Sequence, residues 1–180
     1  GDWIEKERLQ GDGPVDRDVV VDVEACAPGF LDAACKRYPN GNYKPVGLLH
    51  EYGEDDSMYF SLVTGSYENN LRGGVLRRTM SSFGEQEVDP DTGVFIGSGG
   101  IVRTLDALQI PNDYRSKTIQ SDCGWLSDRP FENGECRAWG NPIAEMMFEG
   151  MRYFEGSKRP TPSFFTDAGM DRELGLEAAA

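Results

Sequence analysis

The residues with the most distinctive chemistry are four cysteines in two sequence-local pairs, Cys26 with Cys35 and Cys123 with Cys136. Four cysteines admit three disulfide connectivities. Local closure is favoured because each pair brackets a turn-rich stretch, Ala27-Pro28-Gly29 in the first and Asn133-Gly134 in the second. Zinc thiolates are the competing use, but neither pair has the separation of about two to four residues found in zinc knuckles, and His50 is the only histidine to complete a site. Buried free thiols are the third reading, since cysteine packs readily in cores. If the pairs are disulfides, the protein belongs in an oxidising compartment, and each small ring contributes on the order of 2.5–3 kcal/mol at most.

Other groups that could do chemistry lack partners in sequence. Any Ser-His-Asp or Cys-His arrangement must use His50, and no Gly-x-Ser-x-Gly elbow occurs. Gly97-Ser98-Gly99-Gly100 precedes a helical pattern but has neither the third glycine of a dinucleotide fingerprint nor the Gly-Lys-Ser/Thr of a nucleotide loop, so it reads as a turn. Asp89 and Asp91, with Pro90 and Gly93, offer two carboxylates as calcium loops do. The further acidic positions are missing, and an Asp-rich turn is the plainer reading. Glu145 and Glu149 lie one helical turn apart beside Arg152, as on an exposed charged face. No coherent hydrolase emerges from these acids, and the expectation is a protein without catalytic activity and without a cofactor.

The elements that position these residues are short. The 180 residues fit one domain, and the 22 glycines and 10 prolines announce many turns. The polar segment 1–16 reads as a linker with a short helix at 3–9, and the folded part begins near Arg17 with a strand at 18–23. A short helix is expected at 47–52, and strand-like runs at 58–64 and 74–80 can pair antiparallel across the 65–73 loop. Ile101, Leu105 and Leu108 recur at helical spacing. The clearest helix is 142–155, with Asn141 as cap, Pro142 in the first turn and Gly156 after the end. Its apolar face of Ile143, Met146, Met147, Met151 and Phe154 is expected to be buried, the alternative being an adaptable binding surface. Residues 166–180 read as a flexible tail, and the two ends, Gly1-Asp2 and the closing alanines, as a cut and a cloning scar. The expected fold is a loop-rich α+β module over 17–165 with a small antiparallel sheet and two or three helices, braced by two local disulfides.

The net charge of -13 repels nucleic-acid phosphates and anionic lipid, and no apolar run approaches the ~18 residues that span a bilayer. Cations and basic protein surfaces are the natural counterparts.

An ordered series of stretches resembles one family. It comprises Val23-Glu24-Ala25-Cys26 with Cys35-Lys36, the run 42–48, Arg72-Gly73-Gly74-Val75-Leu76-Arg77, the run 87–95, Gly100-Ile101-Val102-Arg103, and Trp139-Gly140-Asn141-Pro142 on through Arg152-Tyr153-Phe154. Together they cover about residues 19–165, and they are similar to the PilY-type type IV pilus tip-associated adhesins and assembly proteins. The resemblance implies an extracytoplasmic protein, periplasmic in transit and then at the pilus tip. It also implies minor pilins or other tip components as partners, and a part in pilus assembly, tip structure and surface adhesion. The family's Asp-x-Ser-x-Ser metal-adhesion motif is absent, as are Arg-Gly-Asp and propeller repeats, so its metal-dependent functions do not carry over to these residues. The cysteines carry over best, as braces. A carbohydrate-binding or host-surface adhesin module, with aromatics stacked on sugar rings, is the alternative.

Overall fold

The computed structural model describes residues 24–96, 99–108, 130, 132–134, 140, 142–165 and 169–179. The expected 18–23 strand and 3–9 helix lie outside them, as do Cys123, Cys136 and Asn141. The architecture is α+β. The described elements, in order, are β1 (Cys35–Arg37), β2 (Tyr43–Pro45), α1 (Leu48–Gly53), β3 (Tyr59–Thr64), β4 (Val75–Ser82), α2 (Phe83–Glu87), α3 (Ile101–Ala107), α4 (Ile143–Phe154) and α5 (Gly169–Glu173).

Two antiparallel ribbons organise the chain. β3 and β4 pair from Tyr59↔Ser82 to Thr64↔Val75, with irregular register on either side of Leu62. Such bulges increase local twist and let one ribbon serve more than one packing surface. The smaller β1–β2 ribbon, registered by Lys36↔Lys44, turns through Pro39-Asn40-Gly41. The turn cluster at 38–45 is therefore a hairpin. Three-residue strands carry too little β-branched or apolar signal to be separated from turn chemistry by sequence.

Two apolar clusters flank the main ribbon. Tyr38, Phe83 and Val88 are buried together, with Leu49, Phe60 and Val102 packed against them. Tyr67, Ala107, Met170 and Leu176 form the second, with Leu108 and Leu174. Residues ahead of β3 thus share a core with residues behind it.

The second cluster overturns the expectation of a flexible tail from 166. Met170 and Leu176 are buried, and the Ala179 amide donates to the Leu76 carbonyl at 2.8 Å. The physical reason is a buried ion pair. Arg77 on β4 and Asp171 on α5 are both fully buried and bond to each other. Arg77 also donates from Nε to Thr64 Oγ1 at 2.9 Å, from Nη2 to the Gly65 carbonyl at 3.0 Å, and from Nη1 to the Leu176 carbonyl. Asp171 Oδ2 accepts from the Tyr67 and Glu68 amides at 3.0 and 3.2 Å. A charge removed from water must be matched this fully, and the tail supplies Asp171 and the Leu176 carbonyl to the match around Arg77.

α4 departs from expectation in orientation. It lies against β3 and β4 so closely that a side-chain carbon on Gly74 would stand 2.7 Å from the Glu145 carbonyl oxygen. Its inward side carries Glu149, which is 4% exposed, and Tyr153, whose hydroxyl accepts from the Met80 amide at 2.8 Å. Glu149 is therefore not part of an exposed charged face. Its carboxylate accepts from the Thr161 amide at 2.9 Å and from Arg152 Nη1 at 3.2 Å, and it takes the Thr161 hydroxyl as well, which pins the segment after α4. Ile143, Met147, Met151 and Phe154, expected to be buried, are exposed instead. Periodicity identified the stripe but could not say which side of the helix the ribbon would cover.

Candidate functional site

Of the residues marked by the sequence, the first cysteine pair, His50 and the Asp89–Asp91 turn lie on or beside the β1–β2 hairpin and α1, whereas Glu145, Glu149 and Arg152 belong to α4. Cys26 and Cys35 are joined in a disulfide with 5.6 Å between their Cα atoms, which ties residue 26 to the start of the β1–β2 hairpin. The other pair, Cys123 and Cys136, lies outside the described residues. The turn between them, at Asn133 and Gly134, does dock on the 65–73 loop: the Gly134 amide donates to Asn70 Oδ1 at 2.8 Å and Asn133 Nδ2 to Asn69 Oδ1 at 2.6 Å.

Between the hairpin and α1 opens a cleft of about 980 Å³, lined by Lys36, Tyr38, His50, Glu51, Glu54 and Asp55 together with the apolar Ala33, Val46, Leu48 and Val88. Glu54, just past the end of α1, is its polar centre. The Tyr38 hydroxyl donates to Glu54 Oε1 at 2.5 Å, Lys36 pairs with the other oxygen, and the Lys36 ammonium sits 5.0 Å from the Tyr38 ring centroid. Burial, then the Glu54 hydrogen bond and charge, push the Tyr38 phenol well above its ordinary value of 10.0. It therefore remains a donor.

His50, in the first turn of α1, accepts from the Gly47 amide through Nδ1 at 3.2 Å, the return half of a capping box. Its ring meets Phe83 edge-on at 5.4 Å and Phe95 at 5.6 Å. Desolvation lowers its pKa, outweighing the opposite pull of Glu54. His50 is thus a neutral, packed imidazole with a structural bond at Nδ1.

The Asp89–Asp91 turn closes one wall. Asp89 Oδ1 accepts from the amides of Asp91 at 2.9 Å and Thr92 at 2.8 Å, and these bonds lower its pKa. The Asp91 carbonyl accepts from the Asn40 amide at 3.1 Å, which joins the turn to the hairpin. Gly93 stands at φ +70°, where a side-chain carbon would lie 2.3 Å from the Tyr38 ring. The carboxylate of Asp89 is thus spent on its own turn, and among the described residues no group of three or more His, Cys, Asp or Glu is placed to hold a metal ion.

The start of α3, just after Gly99 and Gly100, is likewise committed internally. The Glu87 carboxylate takes the first amides of α3, bonding Val102 N at 3.2 Å and also Ile101 N, so a protein carboxylate already stands where a phosphate would. Sequence reasoning missed Glu87, Glu54 and the Arg77–Asp171 pair. All act between segments distant in sequence, which leaves no spacing signal. The cleft as built offers an acidic, partly apolar surface in which the one lysine is already neutralised.

A profile of the family described as PilY1 homolog, second domain, matches residues 60–180. The chain belongs to that family. The matched region opens one residue inside β3 and runs through the folded tail, so the buried ion pair lies within the family's domain. A type IV pilus biogenesis factor PilY1 homolog from Xylella fastidiosa is 44% identical over 154 residues, which cover 79% of this chain and 10% of that protein. The chain thus spans about a tenth of the length of the curated relative it matches. No solved structure matches it. No helix among the described residues is long and apolar enough to cross a membrane.

Proposed function

We propose that this segment is a non-enzymatic module of an extracytoplasmic type IV pilus factor. It supports pilus assembly, tip structure and surface adhesion through contacts with minor pilins or other tip components. The observation that carries the reading is the 44% identity to a protein named as a pilus biogenesis factor, over a stretch that includes most of the folded chain. The Cys26–Cys35 disulfide supports an oxidising compartment, as transit through the periplasm requires. The site chemistry points the same way. Its histidine is neutral and packed, its tyrosine is held protonated by burial and Glu54, and Asp89 bonds its own turn. These groups form no nucleophile–base pair and suit a surface that binds.

The test is affinity capture of purified minor pilins by this chain and by the longer polypeptide its gene encodes. Capture by the longer polypeptide that is weakened when the cleft is changed at Lys36 and Glu51 is the expected result. Capture by neither form removes the partner assignment, and turnover of a substrate by the chain removes the non-enzymatic one.

A further inference from the structure

α4 is inserted with its polar side inward. Glu149 is buried and bonded to Thr161 and Arg152, while Ile143 (49% exposed), Met147 (65%), Met151 (56%) and Phe154 (72%) look outward. At 100° per residue these four lie within an arc of about 80°, so they form one continuous stripe down the helix. Phe148, 47% exposed, widens it at mid-helix. A helix held on its own ribbon by Tyr153 and by the close Gly74–Glu145 approach, with an apolar stripe that the described residues leave exposed, has a second surface still to be covered.

The size of the stripe selects what covers it. Taking roughly 150–200 Å² of side-chain surface per large apolar residue, the exposed fractions leave on the order of 400–500 Å². A free-standing complex buries about 800 Å² per partner, whereas domains within one polypeptide meet over about 300–750 Å² per side. The stripe fits the second class. Tethering supplies an effective concentration near the millimolar range, so a small interface suffices. Pairing between two copies is further opposed by a net charge of -13 on each. In the Xylella relative the matched stretch is a tenth of the polypeptide, and the family profile is that of a second domain, so this unit has covalent neighbours there.

We infer that the Ile143–Met147–Met151–Phe154 stripe is an interdomain contact, seated against an apolar surface of an adjacent domain in the same polypeptide. The two methionines suit that use, because an unbranched, polarisable side chain adapts to a surface that must dock after each domain has folded.

Methionine oxidation by dilute hydrogen peroxide, read by peptide mass spectrometry, tests this directly. The 180-residue chain is compared with the full polypeptide its gene encodes, and Met58, 51% exposed and outside α4, serves as the reference. The expected result is that Met147 and Met151 oxidise at least about tenfold more slowly in the full polypeptide, while Met58 reacts equally in both. Equal reactivity of the stripe in both overturns the inference, as does a gene that encodes no flanking domain. Protection already present in the 180-residue chain overturns it too: if it persists on dilution, other residues of the chain cover the stripe, and if it is lost on dilution, a second copy does.

Discussion

Asp171→Asn leaves the Arg77 guanidinium buried with a neutral partner. It also replaces one acceptor oxygen of the carboxylate with an amide that faces donors. Both side chains are fully buried, and Arg77 is held by Thr64, Gly65 and Leu176 in a geometry that gives it no route to water. Breaking a buried pair by removing one charge costs about 3–5 kcal/mol, against a net stability of about 5–15 kcal/mol for a domain. With a urea m-value near 2 kcal/mol/M, the midpoint should fall by roughly 1.5–2.5 M. The assay is equilibrium urea unfolding followed by tryptophan fluorescence and far-UV circular dichroism on the same samples. The double variant Arg77→Met/Asp171→Leu, which leaves no unmatched charge, should recover most of the loss. A midpoint shift under about 0.5 M for Asp171→Asn, or a double variant no better than the single, would refute a buried, mutually dependent pair that holds the tail in place.

His50 should make the fold acid-sensitive. Its pKa in the folded protein is depressed below the ordinary 6.5, so the stabilisation is complete above pH 6.5 and declines as pH falls from there through the folded-state value. His50→Gln keeps an acceptor for the Gly47 amide while removing the titration, so melting temperature against pH between 7 and 5 should flatten, and an unchanged slope would remove His50 as the cause. Gly93→Ala, at φ +70° and against the Tyr38 ring, should cost clearly more in melting temperature than Gly29→Ala, at φ +92° with open space around it; equal losses would mean the ring contact is absent. Cys26→Ser/Cys35→Ser should lower stability by about 2–3 kcal/mol, the loop-closure value for a ring of this size, measured by urea unfolding against the unreduced parent. No loss would reduce that disulfide to an ornament of the hairpin.

The parts of the fold legible in sequence are those whose signal is local. The paired runs around the 65–73 loop are β3 and β4, the Ile101–Leu105–Leu108 spacing is α3, and the Pro142 and Gly156 punctuation brackets α4. The first cysteine pair closes as its intervening turn suggests. What sequence did not carry is non-local. Asp171 in a five-residue helix looks like any solvated acid until Arg77, 94 positions away, is brought to it. The same holds for Glu87, which looks like a surface charge yet occupies the start of α3, and for Glu54, which joins Tyr38 to Lys36. For α4, the hydrophobic pattern gave the stripe but not its direction, because burial of Glu149 depends on Thr161 reaching back to it. Burying an acid on the inner side runs against the ordinary rule for amphipathic helices, and it is possible here because the carboxylate is fully bonded.

The proposed role in pilus biogenesis is tested most directly by counting surface pili on cells whose gene lacks, in frame, the codons for residues 60–180 of this chain, with the shortened protein verified by immunoblot. Loss of surface pili, restored by the intact gene, is the expected result. Wild-type piliation with a stable shortened protein would contradict it.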